Sequence, residues 1–177
     1  MRQTPWHVVA LAALLMSALV AGPAQSGQAE IDLLSSYVGS WGGAGELVGG
    51  KDPEPFRCRM IIAKGSQSKI NYSGRCALVN MNLSVAGTIA FDDSAQHYQA
   101  AMTSNAGFTG YAVGQRNGDQ ISFDLAKKQT DRGGNTVRIG SRIHLVNGAI
   151  TVDFQVEFNN SGEVLTAAVP FSRMKRP

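Results

Sequence analysis

From about residue 40 onward, apolar and polar residues alternate with a period of two, in short segments separated by turn residues. Period two sends successive side chains to opposite faces of a strand, so each segment presents one face to a core and one to water. Turn signals fall at Gly65-Ser66, Asp92-Asp93, Asn117-Gly118, Asn147-Gly148 and Asn159-Asn160-Ser161-Gly162. The spacing predicts about ten strands, over 40–48, 56–64, 68–78, 81–91, 95–104, 107–116, 119–128, 135–146, 149–158 and 163–173. It therefore predicts an all-β fold of the sandwich or barrel kind, and the fold expected is a single antiparallel up-and-down (meander) β-barrel of about 8–10 strands. Helix is confined to one turn around Asp32-Leu33-Leu34.

A tight turn sets which residues face each other across a hairpin, so registers follow by counting away from it. Across Asn147-Gly148, Leu145, Ile143, Ser141, Ile139 and Val137 face Ile150, Val152, Phe154, Val156 and Phe158. On the other side Arg142 faces Asp153 and Arg138 faces Glu157. Such exposed pairs contribute only about 0.2–1 kcal/mol each. Burial of the apolar face, at roughly 1.5–3 kcal/mol per large side chain, decides the fold. Counting from Asn117-Gly118 sets Ile121, Phe123 and Leu125 opposite Gly114, Ala112 and Gly110. Small inward residues facing large ones either let the wall curve tightly or relieve crowding. With Gly74, Gly87 and Ala100 they predict free space inside the barrel.

With a turn centred on Gln67, Cys58 faces Cys76 on an inward side shared with Phe56, Met60, Ile62, Tyr72 and Leu78. Facing cysteines in an exported hairpin predict a disulfide, which adds on the order of 3 kcal/mol for a loop of this size. Two thiols are too few for a zinc site and lack the Cys-x-x-Cys spacing of a redox dithiol. The same counting sets Arg59 opposite Arg75 on the outer face, with Arg57 beside them. Like charges in facing positions are destabilising. Glu46 on the neighbouring strand is the expected counter-charge; the functional alternative is an anionic partner, a lipid headgroup or an acidic envelope-protein surface.

Ahead of the strands the texture changes. Met1 to His7 carries Arg2, and Val8 to Gly22 is an unbroken run of apolar and small residues. The run is shorter than the roughly 20 residues that span a bilayer and reads as the core of a signal peptide. Gly22-Pro23-Ala24 offers small residues to a signal peptidase, so residues 1–24 are expected to be removed, with cleavage after Ala29 the second choice. Residues 25–36 then form a short segment with the helical turn, and 37–177 the barrel. No cysteine lies near the cut, so a periplasmic or secreted protein is expected and not a lipoprotein. The chain has 16 basic and 13 acidic residues. Loss of Arg2 leaves a basic excess of about two, no dense cationic stripe of the kind phosphate backbones attract, and nucleic acid is not an expected partner. About 150 mature residues bury roughly 68–70% of their unfolded surface, enough for a core without a metal.

At the head of the first strand stands Gly39-Ser40-Trp41-Gly42-Gly43-Ala44-Gly45-Glu46, after the Leu33-Leu34 turn. This opening resembles the calycin group of small barrels. Lipocalins open with Gly-x-Trp after a helical turn, and nitrobindin-like barrels with Gly-x-Trp-x-Gly-x-Gly, matched here at Gly39, Trp41, Gly43 and Gly45. The lipocalin resemblance implies that Trp41 closes one end of the barrel beneath an arginine from the end of the last strand, matched by Arg173, and that a small apolar molecule sits inside. The nitrobindin resemblance would imply haem held by a histidine. The chain is also similar to uncharacterised exported proteins of Gram-negative bacteria that carry a glycine-rich Trp strand followed by a Cys-Arg pair, here Cys58-Arg59. Alternation turns His97 and His144 outward while Tyr98, Ala100 and Met102 turn inward, and His7 leaves with the leader. No haem, metal or other cofactor is therefore expected.

Asp124, Asp153 and Glu157 also fall on outward faces, which leaves no inward carboxylate pair for acid–base chemistry. The sequence has no Gly-x-Ser-x-Gly elbow, P-loop or His-Glu-x-x-His segment; catalysis is not expected. A barrel of this size is either filled by its own side chains or holds one small ligand. The expected lining is Tyr72, Tyr98, Met102, Phe108, Ala112, Phe123 and Phe154, with the tyrosines as polar handles and Phe91, Phe158 and Phe171 also pointing inward. The reading is an exported barrel that binds a small apolar molecule. The alternative is a periplasmic protein-interaction module, an inhibitor or envelope-assembly accessory, acting through its loops or the Arg57, Arg59 and Arg75 face around a filled core.

Overall fold

A computed structural model of the chain describes residues 24–66, 68–79, 81–130, 134 and 136–175. Residues 1–23 of the expected leader 1–24 and the turn position Gln67 lie outside the described residues. Helix α1 (Ala24–Ser36) is followed by β1 (Gly39–Leu47), β2 (Glu54–Lys64), β3 (Lys69–Ala77), β4 (Asn82–Asp92) and β5 (His97–Ser104). Then come β6 (Thr109–Asn117), β7 (Gln120–Thr130), β8 (Thr136–Val146), β9 (Ala149–Phe158) and β10 (Val164–Arg173). Each strand pairs antiparallel with the next, and β10 returns to β1, closing the barrel in an uninterrupted meander. Closure removes the unpaired strand edges that an open sheet exposes.

The helix is longer than the single turn expected. It runs for 13 residues and packs against β3 and β4. Its apolar residues are few, so periodicity alone does not announce it; docking supplies what propensity lacks. Leu34 is fully buried, Leu33 packs against the core, and Gly27 lies so close to Asp93 in the β4–β5 turn that a Cβ there would meet its carboxylate at 2.6 Å.

Two hairpins keep the counted register. Leu145 faces Ile150 and Ile139 faces Val156 across β8 and β9, where Asn147 and Gly148 both have positive φ, 49° and 74°, as a type I′ turn requires. Cys58 faces Cys76 and Arg59 faces Arg75 across β2 and β3. The β6–β7 hairpin differs by two residues: Gly114 faces Phe123 and Asn117 faces Gln120. Asn117 is the last residue of β6, and the loop is Gly118-Asp119 with only the glycine at positive φ, 62°. A glycine in the first loop position fits a type II′ turn. A shift of two preserves every face and changes only the partners.

The outer ion pairs follow the register in one case. Arg138 meets Glu157 at 2.5 Å. Arg142 stands between Asp153 on β9 and Asp124 on β7, and its guanidinium pairs with Asp124; Asp153 lies 3.9 Å from the His144 ring instead.

Candidate binding site

One end of the barrel is sealed. Trp41 is fully buried and its indole N–H donates to the Tyr37 carbonyl at 3.0 Å. Arg173, its register partner on β10, lies over the indole with its guanidinium 4.5 Å from the ring centroid. That guanidinium donates to the carbonyls of Val38 at 2.8 Å and Ser36 at 2.7 Å, tying the last strand to the chain leaving α1.

A second tie at the same end was not legible in the sequence. Tyr98 donates its hydroxyl proton to Glu30 of α1, and the other oxygen of Glu30 pairs with Arg116 at the end of β6. Burial raises the Tyr98 pKa, and the hydrogen bond and charge of Glu30 raise it further. Burial opposes the charge of Arg116, but Glu30 outweighs it and raises that pKa too. Tyr98 is 1% exposed with its hydroxyl spent on the helix. It belongs to the seal and offers no polar handle to a ligand.

On β3 and β5, accessibility along inward-facing positions rises away from this end. On β3, Ile70 is fully buried while Tyr72, Gly74 and Cys76 are partly exposed; on β5, Tyr98 and Ala100 are buried while Met102 is not. A second, smaller core at the opposite, loop end gathers Val137, Ile139 and Val156 with Phe108, Phe154 and Phe158. Between the two cores lies a cavity of about 20 Å³, lined by Tyr72, Ala100, Met102, Gly110, Ala112, Phe123, Leu125, Ser141 and Ile143, with Ala101 and Tyr111 at its margin. That is room for about one water molecule.

The structure thus divides the expected lining. Tyr72, Met102, Ala112 and Phe123 come together at the cavity, whereas Phe108 and Phe154 pack into the second core and Tyr98 into the seal. Leu125, Ser141 and Ile143 join them through the same alternation. Burial pushes the Tyr72 hydroxyl up to about 12. The space expected over the small residues is largely taken. The Phe123 ring covers Gly114, the Tyr72 ring covers Gly87, and Leu125 covers Gly110; an added Cβ would meet each at 2.4–2.6 Å. Small residues let large neighbours close in, as dense interiors require.

Neither described histidine suits the haem that a nitrobindin-like barrel would hold. The His97 ring contacts the Ala95 carbonyl and the Gln99 amide, and the His144 ring contacts Gln120, all away from the cavity lining. Cys58 and Cys76 form a disulfide beside the core, with Cys58 buried. Outside, Glu46 does not offset the arginines: it is exposed, pairs in register with Pro55, and forms no ion pair among the described residues.

A closed antiparallel meander, sealed at one end by a helix and an arginine-capped tryptophan around an apolar interior, defines a small ten-stranded β-barrel. In fold the chain is similar to Rv2717c from M. tuberculosis, with a TM-score of 0.64, 16% identity, and coverage of 82% of this chain and 98% of that one. It is similar also to the S-type phycobiliprotein lyase CPES from Guillardia theta, with a TM-score of 0.55, 14% identity, and coverage of 85% and 98%. No protein-family model matches the chain, and no curated protein matches it in sequence.

Proposed function

We propose that the protein is an exported barrel that binds a small, uncharged apolar molecule between its two cores, held without catalysis. The observation that supports this is the mid-barrel band: Tyr72, Met102, Leu125 and Ile143 face inward yet stay partly exposed, while both ends of the barrel are packed. No charged side chain is buried among the described residues, so the site has nothing to neutralise a carboxylate or amine. Leu125, Met102 and Tyr72 sit against glycines, and their rotation would enlarge the present 20 Å³ by displacing side chains and not backbone. Methionine is suited to such repacking. Export rests on the leader-like run before Ala24, with cleavage there preferred because Gly27 and Glu30 are packed against the barrel.

Titration of the delipidated protein with an environment-sensitive fatty-alcohol analogue is the test, with haemin as a separate arm. Saturable binding that Ala112→Trp abolishes is expected. Failure of the analogue to bind the native protein, or haemin binding that is lost on replacing His97 or His144, would overturn the reading.

A further inference from the structure

The outer wall carries a far larger concavity than the interior. A groove of about 530 Å³ crosses β2 to β5, lined by Arg59, Ile61, Ser73, Arg75, Ser84 and Thr103, with Gly74, Ala86 and Asn105 in its floor and end. That volume falls within the range of small-molecule sites, roughly 300–1,000 Å³. It arises because Ser73, Ser84 and Ala86 are short residues flanked by the longer Arg59, Arg75 and Ile61.

Arg59 and Arg75 occupy facing positions, so their side chains leave the sheet together. Among the described residues neither has an ion-pair partner, whereas Arg116, Arg138 and Arg142 each do. Ser84, the register partner of Arg75, and Ser73, one row over, leave their hydroxyls without a hydrogen-bond partner among the described residues; so does Thr103. Paired guanidinium forks with free hydroxyl donors beside them form a site with charge to neutralise and donors to satisfy. A carboxylate supplies one negative charge. A phosphate monoester supplies close to two, together with three terminal oxygens, which matches two forks and adjacent hydroxyls.

We infer that this groove binds a phosphate monoester carried on a hydroxylated body, with Arg59 and Arg75 bracketing the phosphate and Ser73, Ser84 and Thr103 meeting the carrier. The groove shares no lining residue with the interior cavity, so the inference stands independently of the proposed interior ligand. Arg57 emerges on the same face but does not line the groove, and assists only through its charge. Bound phosphate also relieves the repulsion between two like charges in facing positions.

The test compares the melting temperature of the native protein in inorganic phosphate and in chloride at equal ionic strength, followed by calorimetric titration with glucose 6-phosphate. Phosphate is expected to raise the melting temperature saturably beyond chloride. An Arg59→Gln/Arg75→Gln double variant should bind at least about tenfold more weakly yet melt no lower than the native protein in chloride, because its loss removes repulsion. An Arg138→Gln control should keep the phosphate response. Sedimentation with phosphatidylcholine vesicles, with and without phosphatidic acid, separates the sources: binding to glucose 6-phosphate alone identifies a soluble ester, and arginine-dependent binding to the phosphatidic acid vesicles identifies a lipid headgroup. Equal responses to phosphate and chloride, a phosphate response that survives in the double variant, or binding of polyglutamate in place of phosphate would overturn the inference.

Discussion

Single residues lock the sealed end. Arg173 stacks on Trp41 and donates to two backbone carbonyls, so one side chain joins β10, β1 and the end of α1. Replacing Arg173 with alanine removes a cation–π contact and two charge-assisted hydrogen bonds, and should cost about 1–3 kcal/mol. In a Trp6→Phe background, where Trp41 is the sole tryptophan, the emission of Arg173→Ala should shift to the red and the melting temperature fall. An unchanged spectrum and melting temperature would mean that the arginine does not protect the indole. This pair was legible in sequence because the Gly-x-Trp opening and a terminal-strand arginine form a recognisable set. The Glu30, Tyr98 and Arg116 network was not, because its members lie 68 and 86 positions apart and no local pattern links them. Only packing of α1 against the barrel brings them together.

At the scale of elements, turn chemistry and alternation carry most of the information. The β2–β3 hairpin is the firmest case: the same register that faces Cys58 with Cys76 also closes the disulfide. Alkylation of the native protein without reductant, followed by mass analysis, should find no modified cysteine. Replacing both cysteines with alanine should lower stability by about 2–4 kcal/mol, since the bridge restricts the unfolded chain. Elsewhere, Asn117-Gly118 offered two adjacent ways to turn, and the glycine chose the later one. Sequence shows that a turn occurs there but not which loop position the glycine takes, since both solutions bury the same face. Helix α1 was underestimated for a related reason. Its apolar face is too narrow to announce a helix, and the partner surface that stabilises it is assembled from distant strands.

For the whole molecule, the apolar interior governs the response to alkali. Burial holds Tyr72 up to about 12, from 10.0 when exposed, and raises Tyr98 and Tyr37 in the same direction. A raised folded pKa means the native state keeps its proton longer than the unfolded chain. The corresponding stability is fully present below pH 10.0 and is lost as pH rises towards 12. The melting temperature should fall across that window, the tyrosinate absorbance of Tyr37, Tyr72 and Tyr98, read in a Tyr111→Phe background, should appear together with unfolding, and Tyr72→Phe should lessen the fall. A melting temperature that stays level across the window would contradict burial of these rings. Alternation, turn residues and facing cysteines determined by themselves the all-β meander, its ten strands to within two residues at each end, its inward faces and its disulfide, because period-two burial and hairpin geometry are local rules. Whether the inward glycines leave a cavity or admit their neighbours was decided only by tertiary structure. Phe123, Tyr72 and Leu125 could close over Gly114, Gly87 and Gly110 only once curvature had set the distances between walls, and no count along the chain contains that curvature.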